Sequence, residues 1–377
     1  MWPDRRLCQL LGTEHPIIQA PMAGSATPAL AAAVSNAGGL GSLGCAEMQA
    51  DELAAHVARL RAGTSHPFNL NFFAHPSPRL DQALFMQTRE RVLPWYRRLG
   101  LDDPATAASP QGPGFDDKRL ALVLDLKPKV VSFHFGVPDQ ASISALKSAG
   151  IVLMSTATTV AEARSLAEAE IDVVIAQGWE AGGHRGSHRP RAPADGVGTL
   201  ALVPQIADAV RLPVVAAGGI GDGRGIAAAF ALGACGVQIG TGFLSCPEAG
   251  TDAARRSMLR KASETDTMMT DAFSGRAARA VRSDYAQEME RMRTDLPDFP
   301  SLYDLSAPLL QSTEPSEVSF LLYGQAARLN RELPAAELVA RYVEEAAAVF
   351  AKLKTGQRIG PKNAKRFSEN PTRKTKK

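Results

Sequence analysis

Eight short apolar runs, each bounded by Gly, Pro or polar residues, constrain the fold of this chain more than any other feature. In order they read PIIQAP, GLGSLG, FNLNFF, KVVSFHF, IVLMST, DVVIAQG, PVVAAGG and GVQIGTG. Between them lie Ala/Leu-rich stretches with helical spacing at 29–36, 52–61, 142–148, 160–168, 200–210 and 224–232. Strands that alternate with helices must pair in parallel. Strands covered by helices on both faces read as continuous apolar runs, as these do. A closed eightfold barrel and a doubly wound open sheet both satisfy this pattern. The count of eight, and the glycines that follow the seventh and eighth runs, favour an α/β TIM (β/α)8 barrel with a smaller, mainly helical second domain.

The expected organisation is a barrel over 1–245, interrupted by an insertion at 74–114 that is too long for a loop and adds a helix or two over one rim. Residues 246–350 supply the last barrel helix and a small helical cap. The stretch 351–377 is a basic tail expected to be disordered: from Lys352 onward it carries ten Lys/Arg against Glu369, so the net +3 of the 377-residue chain hides an acidic remainder. Without interleaved aromatics that tail predicts no nucleic-acid partner. No run approaches the roughly 18 apolar residues of a spanning helix, so a cytoplasmic protein with no membrane partner is expected. Cys8, Cys45, Cys235 and Cys246 form no CxxC pair and are read as reduced, buried thiols, with no metal site.

Functional loops of such a barrel follow the C-terminal ends of the strands, and an anion commonly sits on the last two. Here AAGGIGDGRG follows the seventh run and IGTGF the eighth. Glycine lets backbone N–H groups approach a phosphate, and the helix start that follows adds a favourable dipole. The phosphate belongs either to a substrate or to flavin mononucleotide (FMN). For a flavin, Pro21 and Met22 would offer a flat apolar surface, and Ala23 and Gly24 backbone N–H groups. Gln177 and one of Asn69 and Asn71 would offer an amide, strand alternation turning just one of the two inward. Asn71 is the one assigned to the cofactor.

Two of the seven histidines fall at strand ends on this face: His134 in SFHFG and His184 in EAGGHRG. Imidazole exchanges a proton near neutral pH, so both are candidates for a site role. His188, flanked by arginines, is read as exposed and uninvolved, and His15, His56, His66 and His75 as structural.

Taken together, QAPMAG, SFHFGVP, STATTVAEA, AQGWEAGGHRG, AAGGIGDGRGIAAAFALGACGVQIGTGFL and FSGRAAR resemble, in order, the motifs of the FMN-dependent nitronate monooxygenases. The resemblance implies that His184 is the catalytic histidine beside the flavin, with His134 and Tyr323 contacting substrate. It places FMN against Ala23, Gly24, Gln177, Gly182, Gly183, Gly218, Gly219 and the stretch Gln238, Gly240 and Thr241, with Gln325 closing over it from LYGQAA. Ser25 and Ala277 depart from the family pattern, which has a glycine and a proline there, and bear on substrate preference more than on flavin binding. The implied reaction oxidises an alkyl nitronate, of which propionate 3-nitronate is one, with O2 to a carbonyl compound and nitrite, in a monomer or homodimer. The rival readings are a flavin-dependent enoyl-acyl-carrier-protein reductase using NAD(P)H, a flavin-binding barrel without turnover, and a phosphosugar-binding barrel with no flavin.

Overall fold

All eight apolar runs form strands of a single parallel sheet. They are β1 (Ile17–Gln19), β2 (Gly41–Gly44), β3 (Phe68–Phe73), β4 (Val130–His134), β5 (Val152–Ala157) and β6 (Val173–Gln177), then, beyond a two-residue strand β7 (Gly183–His184), β8 (Val214–Ala217) and β9 (Gly236–Ile239). The computed structural model describes residues 2–189, 196–292, 295–311 and 317–355. Of the basic tail expected to be disordered from 351, residues 351–355 are helical and the rest, from 356 onward, lies outside the described residues. Around the sheet the order is β1-β9-β8-β6-β5-β4-β3-β2. A parallel bridge between Ile18 and Leu40, with the Gln19 N–H donating to the Leu40 carbonyl at 3.0 Å, joins its two ends into a barrel.

Helices α1 (Arg6–Leu11), α2 (Pro28–Asn36), α3 (Ala50–Gly63), α4 (Gln82–Arg98), α5 (Asp117–Leu126), α6 (Gln140–Ser148), α7 (Val160–Glu168), α8 (Thr199–Ala209) and α9 (Gly223–Ala231) precede or separate the strands. Their starts are set by side chains that satisfy otherwise unpaired N–H groups: Thr27 caps α2 ahead of Pro28, Asp139 caps α6 and Asp222 caps α9. Each cap is worth about 1 kcal/mol. Every residue of β5 and β6 is buried, as strands sandwiched between a filled barrel and its helices must be.

After β9 the chain leaves the barrel through α10 (Ala253–Lys261), the strands β10 (Thr267–Thr270) and β11 (Ala278–Val281), α11 (Asp284–Met292) and α12 (Tyr303–Gln311). It returns as α13 (Ala335–Thr355), which packs between α9 and α2 in the place of the last barrel helix. Helix α4 of the 74–114 insertion packs on α12, and Phe85, Trp95 and Tyr96 share one apolar cluster with Phe273, Tyr285 and Leu305. The insertion and the C-terminal excursion therefore build a common core over the barrel mouth. That region also holds a ribbon of strands: β10 and β11 pair antiparallel, and β11 continues onto β7, opposing Ala278 to His184 and Arg279 to Gly183. The glycine-rich stretch around His184 is thus an edge of a three-stranded sheet.

Candidate active site

At the C-terminal end of the barrel strands a cavity holds about 250 Å³ that solvent can enter. Among the residues proposed from sequence, Pro21, Met22, Ala23, Asn71, His134, Gln177, Gly182, Gly183, His184, Gly218, Gly219, Gln238, Gly240 and Thr241 line it. The cap closes one side with Phe320, Leu321, Leu322 and Gly324.

His184 lies at the centre of this arrangement. Its ring is ringed by the edges of Phe73, Phe135, Phe299 and Phe320, with centroids between 5.6 and 6.1 Å away. Its Nε2 lies 2.9 Å from Ser274 Oγ, and its Nδ1 has no hydrogen-bond partner among the described residues. Burial in this apolar cage, reinforced by His134 and Arg276, pushes its pKa down to about 3. The imidazole is therefore neutral at physiological pH and turned toward the cavity.

His134 has a different part from the substrate contact expected of it. Its Nε2 lies 3.0 Å from the His184 carbonyl, which can only accept, so Nε2 carries the proton. Its Nδ1 then accepts from the Thr156 hydroxyl at 3.0 Å. Burial holds its pKa down at about 4. With both nitrogens engaged the ring has none to offer a ligand, and it serves to hold the main chain of His184. Gln177 does the same: its Nε2 donates to the His184 carbonyl at 2.9 Å and its Oε1 accepts from the Gly186 N–H at 2.8 Å. The amide expected to face a cofactor is committed to the loop.

Two glycines of the loop are required by close approach. A Cβ on Gly186 would stand 2.6 Å from His134 Cε1, and one on Gly182 would stand 2.4 Å from the carbonyl carbon of Tyr323. Buried arginines complete the clamp. Arg185 donates to the Gln177 carbonyl at 2.7 Å and Arg279 to the Trp179 carbonyl at 2.8 Å.

Other expectations need correction. Positions two apart on a strand share a face, so Asn69 and Asn71 both turn inward, each donating to Ser132 Oγ at 2.9 Å. Asn71, nearer the strand end, is the one that reaches the cavity. Gly24, Tyr323 and Gln325 are not among its lining residues. The Tyr323 ring is buried in a separate apolar cluster with Leu244, Leu259 and Val281, and it is the backbone of this stretch that meets the loop, Gln325 N–H donating to the Glu180 carbonyl at 3.0 Å. His188 is half-buried rather than exposed, because its ring reaches the Thr156 carbonyl at 2.9 Å, although it stays outside the cavity. The α9 start is not available to an anion: Asp222 takes the N–H groups of Arg224 and Gly225, and Glu345 that of Gly223. By contrast, the N–H groups of Gly219 and Gly240 donate to no backbone acceptor among the described residues.

Sequence reasoning missed Ser274, Phe299, Phe320 and Arg276. Arg276 is 4% exposed, its guanidinium sits 4.0 Å above the Phe135 ring, and burial lowers its pKa to about 10, so it remains a cation beside both histidines. Phe135 is held at φ +73°, a costly conformation for a bulky side chain, and this turns its ring between His134 and Arg276. The FSGRAAR motif was the only signal for Ser274 and Arg276; the phenylalanines had none.

A TIM barrel whose strand-end cavity holds a neutral histidine on a glycine-rich edge defines an oxidoreductase-class barrel enzyme once its relatives are set beside it. The chain belongs to the nitronate monooxygenase family, which matches residues 4–345. A nitronate monooxygenase of Paraburkholderia phytofirmans is 44% identical over 346 residues, covering 90% of this chain and 94% of its own. One from Pseudomonas aeruginosa is 42% identical over 352 residues, covering 90% and 98%. Among solved structures, a nitroalkane oxidase from Streptomyces ansochromogenes superposes with a TM-score of 0.83 at 38% identity, covering 92% of this chain and 99% of that one. FabK from Thermotoga maritima superposes at 0.71 with 32% identity, covering 93% and 98%. All four cysteines are buried and unpaired, and among the described residues no helix is long and apolar enough to cross a membrane.

Proposed function

We propose that the protein is an FMN-dependent nitronate monooxygenase that oxidises alkyl nitronates with O2 to a carbonyl compound and nitrite. The observation that carries this reading is His184: neutral, caged by four phenylalanines, with one ring nitrogen free toward a cavity rich in unsatisfied hydrogen-bonding groups.

The residues present fit FMN. The unengaged N–H groups of Gly219 and Gly240 would hold its phosphate, and the buried Oε1 of Gln238, which has no partner, would accept from the ring system. Pro21 and Met22 would face the ring. Bound there, FMN supplies the electron acceptor that no side chain of this cavity provides.

The protein's own part concerns charge and protons. His184 Nδ1 takes up a proton from solvent as the anionic nitronate enters, or takes it from the α-carbon of a neutral nitroalkane. Either route leaves an imidazolium beside a nitronate. The Arg276 cation adds to a positive field that favours the anion, while the phenylalanine cage excludes water and so strengthens the pairing. His134 and Gln177 keep His184 in place during this change.

The test is nitrite release and oxygen uptake by the FMN-loaded protein supplied with ethyl nitronate, propyl nitronates and propionate 3-nitronate. Anaerobic NADH or NADPH separates the reductase reading, since rapid bleaching of the flavin band would support it. A protein that takes up no FMN would instead point to a phosphosugar-binding barrel.

A further inference from the structure

We infer that Ser274 is a positioning residue that keeps the proton of neutral His184 on Nε2 and so presents the Nδ1 lone pair to the cavity. The inference rests on the reading of His184 as the proton-handling group.

Ser274 is 1% exposed, in the turn between β10 and β11. Its hydroxyl has a single proton and, besides His184, two polar neighbours. The Arg276 carbonyl lies 3.1 Å from Oγ and can only accept; it forms no other hydrogen bond among the described residues. The Arg276 N–H, at 3.3 Å, can only donate. If the serine proton turned to His184, the Arg276 carbonyl would lose its donor in a region closed to water. With the serine proton on that carbonyl, the 2.9 Å contact to His184 requires Nε2–H to donate to Oγ. A neutral imidazole protonated on Nε2 has a bare Nδ1.

The rest of the cage agrees with this assignment. The four phenylalanines offer Nδ1 neither a donor nor an acceptor. Although the ring is enclosed, Nδ1 is not among the buried polar atoms sealed off without a partner, so it is open to the cavity. His134 and Gln177 hold the His184 carbonyl, and Ser274 holds the ring, so the backbone and the side chain of one residue are fixed from opposite sides.

The consequence depends on the substrate. With a neutral nitroalkane, the α C–H bond breaks, its electron pair stays on the substrate as the nitronate, and the proton passes to Nδ1. The resulting imidazolium keeps its Nε2–H on Ser274. A preformed nitronate skips that bond cleavage. Ser274 therefore matters more to nitroalkanes than to nitronates.

The test uses the full-length, FMN-loaded protein as wild type, Ser274→Ala and Ser274→Thr. 15N-histidine NMR, with the His184 signal assigned by its loss in His184→Asn, reads the tautomer directly. Nitrite release from nitroethane and from ethyl nitronate reads the function. We expect the Nε2–H tautomer in the wild type and a mixture in Ser274→Ala. In that variant kcat with nitroethane should fall about tenfold or more while kcat with ethyl nitronate stays within about threefold, and Ser274→Thr should restore both readouts. An Nδ1–H tautomer in the wild type would overturn the inference, as would equal loss with both substrates at an unchanged tautomer. If the wild type releases no nitrite from either substrate, the proposed function fails while the NMR still decides the role of Ser274.

Discussion

His134 Nε2 lies 3.0 Å from the main-chain carbonyl of His184, so one histidine of the pair acts on the backbone of the other. That contact divides their labour. His134 has both nitrogens engaged and its proton assigned by geometry; His184 has one nitrogen free to the cavity.

His184→Asn should retain FMN and lose about 10²-fold or more in kcat with nitroethane, the usual contribution of a placed general base. Flavin absorbance of the purified variant and initial rates of nitrite release check both halves. Full activity with bound FMN would remove His184 from the mechanism.

His134→Ala should cost less, about tenfold in kcat, together with about 1–3 kcal/mol of stability from the two lost buried hydrogen bonds. Thermal melts and steady-state rates on the same preparation test this. A loss as large as that of His184→Asn would mean that His134 reaches the substrate after all.

Gly186→Ala should lower stability by about 1–3 kcal/mol, because a methyl group there collides with the His134 ring and Thr156, neither of which can retreat within a packed strand end. Reduced FMN content and a lower Tm are expected together. Unchanged values would show that the loop has more room than the structure gives it.

The pH dependence follows from the two depressed histidine pKa values. In the folded state they are about 3 for His184 and about 4 for His134, against about 6.5 in an unfolded chain. Between those limits the unfolded state binds more protons, so stability rises with pH there and levels off above about 6.5. Tm should be flat from about pH 7 to 8 and fall on acidification below about 6.5, with a shallower fall in His184→Asn. Because the base is neutral in the free enzyme throughout this range, kcat/KM for nitroethane should show no break near 6.5.

The barrel was legible because each strand is a contiguous apolar run and the loops after β8 and β9 are marked by glycine, so local pattern and global fold agree. His134 was legible because it ends β4, and His184 because its glycine-rich stretch follows β6. What could not be read comes from pairings distant in sequence. His184 sits opposite Ala278 only because β11 returns to β7, and its cage joins Phe73 and Phe135 from the barrel to Phe299 and Phe320 from the cap. No periodicity announces such contacts. Gln177 was misread for a related reason: its position at a strand end was visible, but the loop that folds back on it was not.

The central claim is tested most directly by measuring nitrite formation and oxygen consumption when the FMN-loaded protein meets ethyl nitronate in air, with no pyridine nucleotide present. The account predicts nitrite accompanied by oxygen uptake, both abolished or nearly so in His184→Asn. Absence of both in the wild type, with the flavin rapidly bleached by NADH or NADPH under anaerobic conditions, would contradict it.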